Sequence, residues 1–441
     1  MTKIGFVSLG CSKNTVDTEV MLHRLMTAGY EITPEPTEAD IVVINTCAFI
    51  ESAKEESIDN ILDIAYLKEH HTLKGIVVCG CLGERYGAQI LDEMPEVDAV
   101  LGTGSYDDIV EAVRAVENKK KGYFSLKDKN EAVLGGERVL TTGESMAYLK
   151  IAEGCDNCCT YCAIPLIRGK FRSRPMEDII AEARELDSIG VKELNIIAQD
   201  TSRYGLDLYG DYKLAELVEK ILEATSIPWI RLLYLYPDKI TDELISVIKN
   251  NDRVVKYADI PVQHISDKIL RSMNRHGDGA MIRDAIARLR AAIPDITLRT
   301  TAIVGFPGET EEDFSELCEF IKETKFDRFG AFTYSQEEDT AAAELDGQVD
   351  EQTKQDRYDI IMREQMYISA DKTASKVGKT IRVFCEGYDP VSETHYGRSE
   401  ADAPDVDGRI FFTAKKKLPE GVFVDVVITE ALDYDLIGKA L

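Results

Sequence analysis

The chain lacks a long apolar run at its start: Met1-Thr2-Lys3-Ile4 leads into a hydrophobic stretch that ends near Leu9. That is far too short for the core of a signal peptide or for a membrane span, so the expected location is the cytoplasm, with no membrane partner. A surplus of positive charge is missing as well. The 52 Lys plus Arg against 79 Asp plus Glu leave a net charge of -27, which repels polyanions unless a local basic patch overrides it. General nucleic-acid binding is therefore not expected, and a basic partner fits better. Histidine pairs at metal-ligand spacing are absent too. His264 and His276 have no neighbour placed to share an ion, so loop or core packing is their expected role. Cysteine, by contrast, is plentiful. Ten thiols in a reducing compartment argue against a disulfide framework and for metal or redox chemistry.

The densest cluster is Gly154-Cys155-Asp156-Asn157-Cys158-Cys159-Thr160-Tyr161-Cys162. Its Cys-x3-Cys-x2-Cys spacing offers a four-iron cluster three thiolates and leaves one iron without a protein ligand, free to chelate a small molecule and pass it an electron. The same run can be parsed as Cys155-x2-Cys158 followed by Cys159-x2-Cys162, a four-thiolate zinc knot. Zinc ribbons usually separate their two arms by a dozen or more residues so that the arms can wrap the metal, whereas these are adjacent. Cys155, Cys159 and Cys162 are thus the expected catalytic metal ligands.

A chain of 441 residues with 44% hydrophobic content has room for several cores. Apolar runs at Ile4 to Leu9, Ile41 to Asn45, Ile76 to Cys79 and Ala99 to Leu101 each precede a helical pattern, which predicts a parallel α/β domain over 1–118. Cys11, Cys47 and Cys81 fall one to three residues beyond the first three of these strands, where open α/β sheets build their sites. Residues 119–140 have no sustained periodicity and read as a linker with a short hairpin. Alternation resumes over 141–371, with strands near Tyr148 to Ala152, Glu193 to Ala198, Trp229 to Tyr234, Lys256 to Ile260, Leu298 to Val304 and Arg328 to Thr333. Six β/α units predict a partial barrel with its reactive residues at the carboxyl ends of the strands. Thr310 is placed to cap the helix after the fifth strand, with Asp313 three residues on. From 373 to 441 short half-buried strands between Gly and Pro turns predict a small antiparallel barrel. Cys79, Cys318 and Cys385 sit on apolar faces and read as core. The basic stretch Arg168 to Pro175 would ordinarily be a solvated face, although its place after the cysteine loop leaves contact with a cofactor or substrate carboxylate open.

Cys155-x3-Cys159-x2-Cys162 in a β/α barrel resembles the radical S-adenosylmethionine enzymes. Cys11, Cys47 and Cys81 ahead of it, Gly80-Cys81-Leu82, and Ile303-Val304-Gly305-Phe306-Pro307-Gly308-Glu309-Thr310 narrow the resemblance to the methylthiotransferases. The resemblance covers essentially the whole chain and implies two [4Fe-4S] clusters, S-adenosylmethionine, and a terminal barrel of the TRAM type that docks substrate. Within the family, Ser8-Leu9-Gly10-Cys11-Ser12-Lys13-Asn14-Thr15-Val16-Asp17-Thr18-Glu19 and Gly397-Arg398-Ser399 with Ala401 to Gly408 look like the branch that modifies an aspartate in the twelfth small-subunit ribosomal protein. The rival branch modifies an adenosine in transfer RNA. The terminal barrel has nine Lys plus Arg against twelve Asp plus Glu over 373–441, which suits a basic ribosomal protein better than RNA.

The resemblance further implies that the cluster on Cys155, Cys159 and Cys162 splits S-adenosylmethionine with an electron from a reducing donor, and that the resulting radical takes hydrogen from the β-carbon of the aspartate. The cluster on Cys11, Cys47 and Cys81 would hold the sulfur to be transferred. Carried over residue by residue, the family pattern puts Tyr161 beside the adenine, Gln199 and Gln263 after the second and fourth strands, and Arg299 near the carboxylate. Gly305, Pro307 and Gly308 would form a tight loop close to ligand. A non-catalytic zinc or iron-sulfur scaffold is the alternative from another class.

Overall fold

The computed structural model describes residues 2–441. The first domain is a parallel sheet of β1 (Lys3–Ser8), β2 (Glu31–Thr33), β3 (Ile41–Thr46), β4 (Gly75–Gly80), β5 (Ala99–Leu101) and β6 (Tyr123–Ser125), in the order β2-β1-β3-β4-β5-β6. Central strands β3 and β4 are buried along their whole length. Their unbroken apolar sequences follow from having both faces covered by helices, here α1 (Ser12–Thr27), α2 (Glu51–His70), α3 (Cys81–Glu93) and α4 (Ile109–Glu117). The segment read as a linker departs from expectation. In place of a hairpin it supplies β6, which pairs in parallel with β5 and finishes the sheet. Its Tyr123-Phe124-Ser125 sequence is half-exposed at the sheet edge and ends on a polar residue, so it left no apolar run in the hydrophobic pattern.

The second domain carries β7 (Met146–Lys150), the short antiparallel pair β8 (Ala152–Glu153) and β9 (Arg172–Ser173), and then β10 (Glu193–Ile197), β11 (Trp229–Leu232), β12 (Tyr257–Asp259), β13 (Thr297–Val304) and β14 (Arg328–Thr333). Two three-stranded parallel sheets, β11-β10-β7 and β12-β13-β14, are joined by a bridge from Ile230 to Val254. The result is a partial barrel of six strands. Residues such as Leu194, Ile196, Leu298 and Ala302 face outward into the core beneath the surrounding helices. Alternate residues face the lumen, where Val16 from α1 joins Tyr148, Ile197, Trp229 and Tyr257. Thr310 caps the helix Glu311–Thr324, and Asp313 completes a capping box.

The third domain is a closed barrel of β15 (Thr380–Asp389), β16 (Thr394–Arg398), β17 (Ile410–Thr413), β18 (Phe423–Ala431) and β19 (Leu436–Ala440). Val383, Cys385, Ile410, Phe412, Val426 and Ile428 fill it. Its loop 399–407 closes the end of the β/α barrel where the strands begin. Arg398 donates to Glu193 at 2.5 Å, Tyr257 donates to Asp407 at 2.6 Å, and Arg328 pairs with Asp402. The cysteine loop lies at the opposite end of the same strands. The terminal barrel, which the resemblance implies docks substrate, therefore packs against the end of the β/α barrel away from that loop. The physical reason is the complementarity of Asp402 and Asp407 to arginines at the strand starts.

Candidate active site

The cysteine loop leaves β8 through Gly154, whose φ is +78°. A Cβ there would lie 2.1 Å from the carbonyl oxygen of Lys170, so only glycine fits the turn. The Cys155 amide donates to Gly169 and the Cys162 amide to Cys159. Asn157 donates to the Cys155 sulfur at 3.4 Å and to Asp200 at 2.8 Å, while Arg275 stands 4.0 Å from the Cys159 sulfur and over the ring of Tyr236. Cys155 and Cys159 are buried and Cys162 is half-buried, whereas Cys158 is exposed. Cys158 holds a φ of 47°, and Asn274 donates to its carbonyl at 3.0 Å. Burial pushes the Cys155 thiol up to about 11 and the Cys162 thiol further, so binding iron must displace protons.

Groups fit for a polar cofactor surround this loop. Gln199 donates to Glu153 at 2.6 Å, yet its carbonyl oxygen is buried without a partner. Gln263 likewise has an unpartnered Oε1, and it holds a φ of 69° while its backbone is stitched to Thr301 and Ile303 of β13. Tyr161 packs against Ile269, Met273 and Phe306, and burial holds its hydroxyl well above the ordinary range. After β13 the loop turns through Gly305 and Gly308, both at positive φ, on either side of Pro307. The amides of Gly305 and Phe306 are anchored on Glu309. Unsatisfied buried acceptors are rare, and at strand ends beside the cysteines they suit a ligand such as S-adenosylmethionine. Arg299 is placed elsewhere. It lies in the first half of β13, bound to Asp259 at 2.8 Å and facing Asp407 at 3.7 Å, so its charge is already met by two carboxylates.

The other three thiols follow strands β1, β3 and β4 of the first domain. Cys11 caps α1 and Cys81 opens α3, while Cys47 lies four residues ahead of α2, so two of the thiols stand at positive dipole ends, an arrangement that favours an anionic group. Gly10 and Gly80 hold φ values of 86° and 90°. A Cβ on Gly10 would meet the Cys47 sulfur at 3.1 Å, and one on Gly80 would meet the Thr46 carbonyl at 2.7 Å. Burial raises the Cys47 and Cys81 thiols, Cys81 to about 12, and the neighbouring thiols add to both effects. Among the described residues no three His, Cys, Asp or Glu side chains close on a single-ion site. A multi-iron cage takes each thiolate on a different iron and so spreads its ligands more widely than one zinc does.

Further residues near the site have surroundings that the sequence did not reveal. α5 (Ile164–Arg168) begins two residues after Cys162, and its Ile167 enters the core of the first domain. Arg168 and Arg174 belong to the basic stretch but are buried and paired, Arg168 with Asp17 and Glu153 and Arg174 with Glu182. Arg168 thus ties the two domains together, whereas Lys170 and Pro175 of the same stretch are exposed. Asn195 is fully buried on the lumen side of β10 with neither amide atom partnered. Arg168 meets Asp17 across 151 positions, so spacing could not reveal that pair.

A barrel with Cys-x3-Cys-x2-Cys beyond its first strand and polar groups at the neighbouring strand ends defines a radical S-adenosylmethionine enzyme. Family comparison agrees. Residues 149–321 match the Radical SAM superfamily, 3–102 match a family described as uncharacterized protein family UPF0004, and 377–441 match the TRAM domain. Solved structures share the architecture. The radical S-adenosylmethionine methyltransferase TsrM from Kitasatospora setae, with cobalamin and a [4Fe-4S] cluster bound, superposes with a TM-score of 0.58 at 13% identity over 76% of this chain and 72% of its own. The cobalamin-dependent radical enzyme OxsB gives 0.52 at 13%, over 83% and 56%. Much nearer relatives exist in sequence. Ribosomal protein uS12 methylthiotransferase RimO from Acetivibrio thermocellus is 49% identical over 100% of this chain and 98% of its own, and RimO from Pelotomaculum thermopropionicum is 50% identical over 100% and 99%. The chain belongs to the RimO family of methylthiotransferases. Among the described residues no helix is long and apolar enough to cross a membrane.

Proposed function

We propose that this enzyme adds a methylthio group to the β-carbon of an aspartate in ribosomal protein uS12, in the cytoplasm, using S-adenosylmethionine and two [4Fe-4S] clusters. Cys155, Cys159 and Cys162 would hold one cluster, and Cys11, Cys47 and Cys81 the other. When bound, the two supply one electron to cleave the sulfonium and a sulfur to be transferred, and a reducing donor recharges them.

The observation that carries this reading is the pair of cysteine trios at the carboxyl ends of two α/β domains joined by buried ion pairs. A single-cluster enzyme has no use for the first trio. Gln199 and Gln263 offer acceptor oxygens to the cofactor, Tyr161 offers an apolar wall, and the Gly305-Phe306-Pro307-Gly308 turn brings backbone close. Around them Arg85 and Lys54 from the first domain each meet the buried Glu337 of the second at 3.2 Å, which ties the two domains together.

The name borne by the relatives supports the substrate, as do the sequence segments that resemble the ribosomal-protein branch. Charge supports it less strongly than the sequence alone suggested, because Asp402, Asp407 and Arg398 are internal. With these set aside, the outside of the terminal barrel still has more carboxylates than cations. The test is mass spectrometry of uS12 after anaerobic incubation with reconstituted enzyme, S-adenosylmethionine and reductant. One methylthio group on an aspartate is expected. Unmodified uS12, with methylthio groups appearing on transfer RNA instead, would refute the assignment.

A further inference from the structure

One segment of fourteen residues touches both cysteine sites. At its start are Cys155, Cys159 and Cys162. At its end Arg168 leaves the β/α barrel and enters the first domain, 3% exposed. One terminal nitrogen, Nη2, stands 3.6 Å from the Cys81 sulfur and also meets the Asn14 side-chain oxygen; the other, Nη1, donates to Asp17 at 2.6 Å and to Glu153 at 3.3 Å. Lys150 binds the same two carboxylates, and Gln199 donates to Glu153. Asn14 is itself fixed by the carbonyls of Leu9 and Thr46, one residue or more from Cys11 and Cys47. Two cations and two carboxylates therefore balance inside the joint, and only Arg168 among them reaches a cysteine of the first trio.

We propose that Arg168 is a positioning residue for the N-terminal cluster: its guanidinium donates a hydrogen bond to the Cys81 sulfur and sets the reduction potential of the cluster which that cysteine holds. The inference rests on the two-cluster reading above. Hydrogen bonds and positive charge at a ligating sulfur favour the reduced, more negative cluster and raise its potential. Asp17 acts in the opposite sense, since it is an anion that draws the guanidinium away from the sulfur. Because Arg168 is also tied through Glu153 to Gln199, the cation that tunes one site is held by the wall of the other.

The test uses the full-length chain with Cys155→Ala, Cys159→Ala and Cys162→Ala, reconstituted anaerobically so that the N-terminal cluster alone contributes, and an EPR-monitored redox titration. Replacing Arg168 by Gln together with Asp17→Asn, which keeps the buried charges balanced, is expected to lower the potential. Arg168→Lys should recover part of that loss, and Asp17→Asn alone should raise the potential. Opposite shifts from the two sides of one ion pair are the signature, because damage to packing would move both the same way. Unchanged potentials at full iron content, or shifts of the same sign in Arg168→Lys and Asp17→Asn, would overturn the proposal. A triple-alanine chain that takes up no iron would overturn the two-cluster reading and the proposal with it.

Discussion

Replacing Arg398 by Met should loosen the terminal barrel from the β/α barrel. Glu193 is completely buried and accepts from Arg398 at 2.5 and 3.2 Å and from Arg231 at 2.8 Å. Burial alone would raise its carboxyl, but the two arginines hold it below the usual range. Breaking a buried ion pair costs about 3–5 kcal/mol because an uncompensated charge remains. Arg231 stays in place here, so the lower end, about 3 kcal/mol, is expected. At about 1.4 kcal/mol per decade that is roughly a hundredfold change in the opening equilibrium. Whole-chain melting is a poor readout for three domains, whereas hydrogen exchange resolves local opening. The amides of Ser399, Asp402 and Ala403, bound to Asp402, Ser399 and Asp407, should exchange roughly a hundredfold faster. Adding Glu193→Gln to Arg398→Met should deepen the loss, since fully buried Arg231 then has no carboxylate partner. Unaltered exchange in Arg398→Met, with loop 399–407 still protected, would refute the reasoning.

Cys159→Ala should abolish reductive cleavage of S-adenosylmethionine, while Cys47→Ala should spare cleavage and stop methylthio transfer; product chromatography separates the two, and identical behaviour would contradict the division of labour. Gly154→Ala forces a side chain against the Lys170 carbonyl at positive φ, so the loop should lose its cluster and the protein about half its iron by metal analysis. Thr310→Ala removes a cap that accepts from the Asp313 amide. It should cost about 1 kcal/mol, seen as roughly fivefold faster exchange in the first turn of that helix.

The sequence revealed what local pattern encodes. The runs at Ile41 to Asn45 and Glu193 to Ala198 became β3 and β10, and the spacing of Cys155, Cys159 and Cys162 was readable without coordinates. β2 (Glu31-Ile32-Thr33) and β6 (Tyr123-Phe124-Ser125) were not, because neither forms an apolar run like the Ala99-Val100-Leu101 of β5. The joint escaped for a different reason. Arg168 meets Asp17 across 151 positions and Arg398 meets Glu193 across 205, and nothing local marks either residue as buried. Local pattern offers a solvated face or a ligand contact for the basic stretch and docking charge for Asp402 and Asp407, whereas Arg168, Asp402 and Asp407 serve internal pairing. Arg299 shows the same limit, since its partners Asp259 and Asp407 come from two other segments.

Counting iron tests the central claim most directly. Reconstituted without oxygen, the native chain should hold about eight iron atoms, and the Cys11→Ala, Cys47→Ala, Cys81→Ala variant and the Cys155→Ala, Cys159→Ala, Cys162→Ala variant about four each. A native chain with about four, all of it lost on changing the second trio and none on changing the first, would contradict the account.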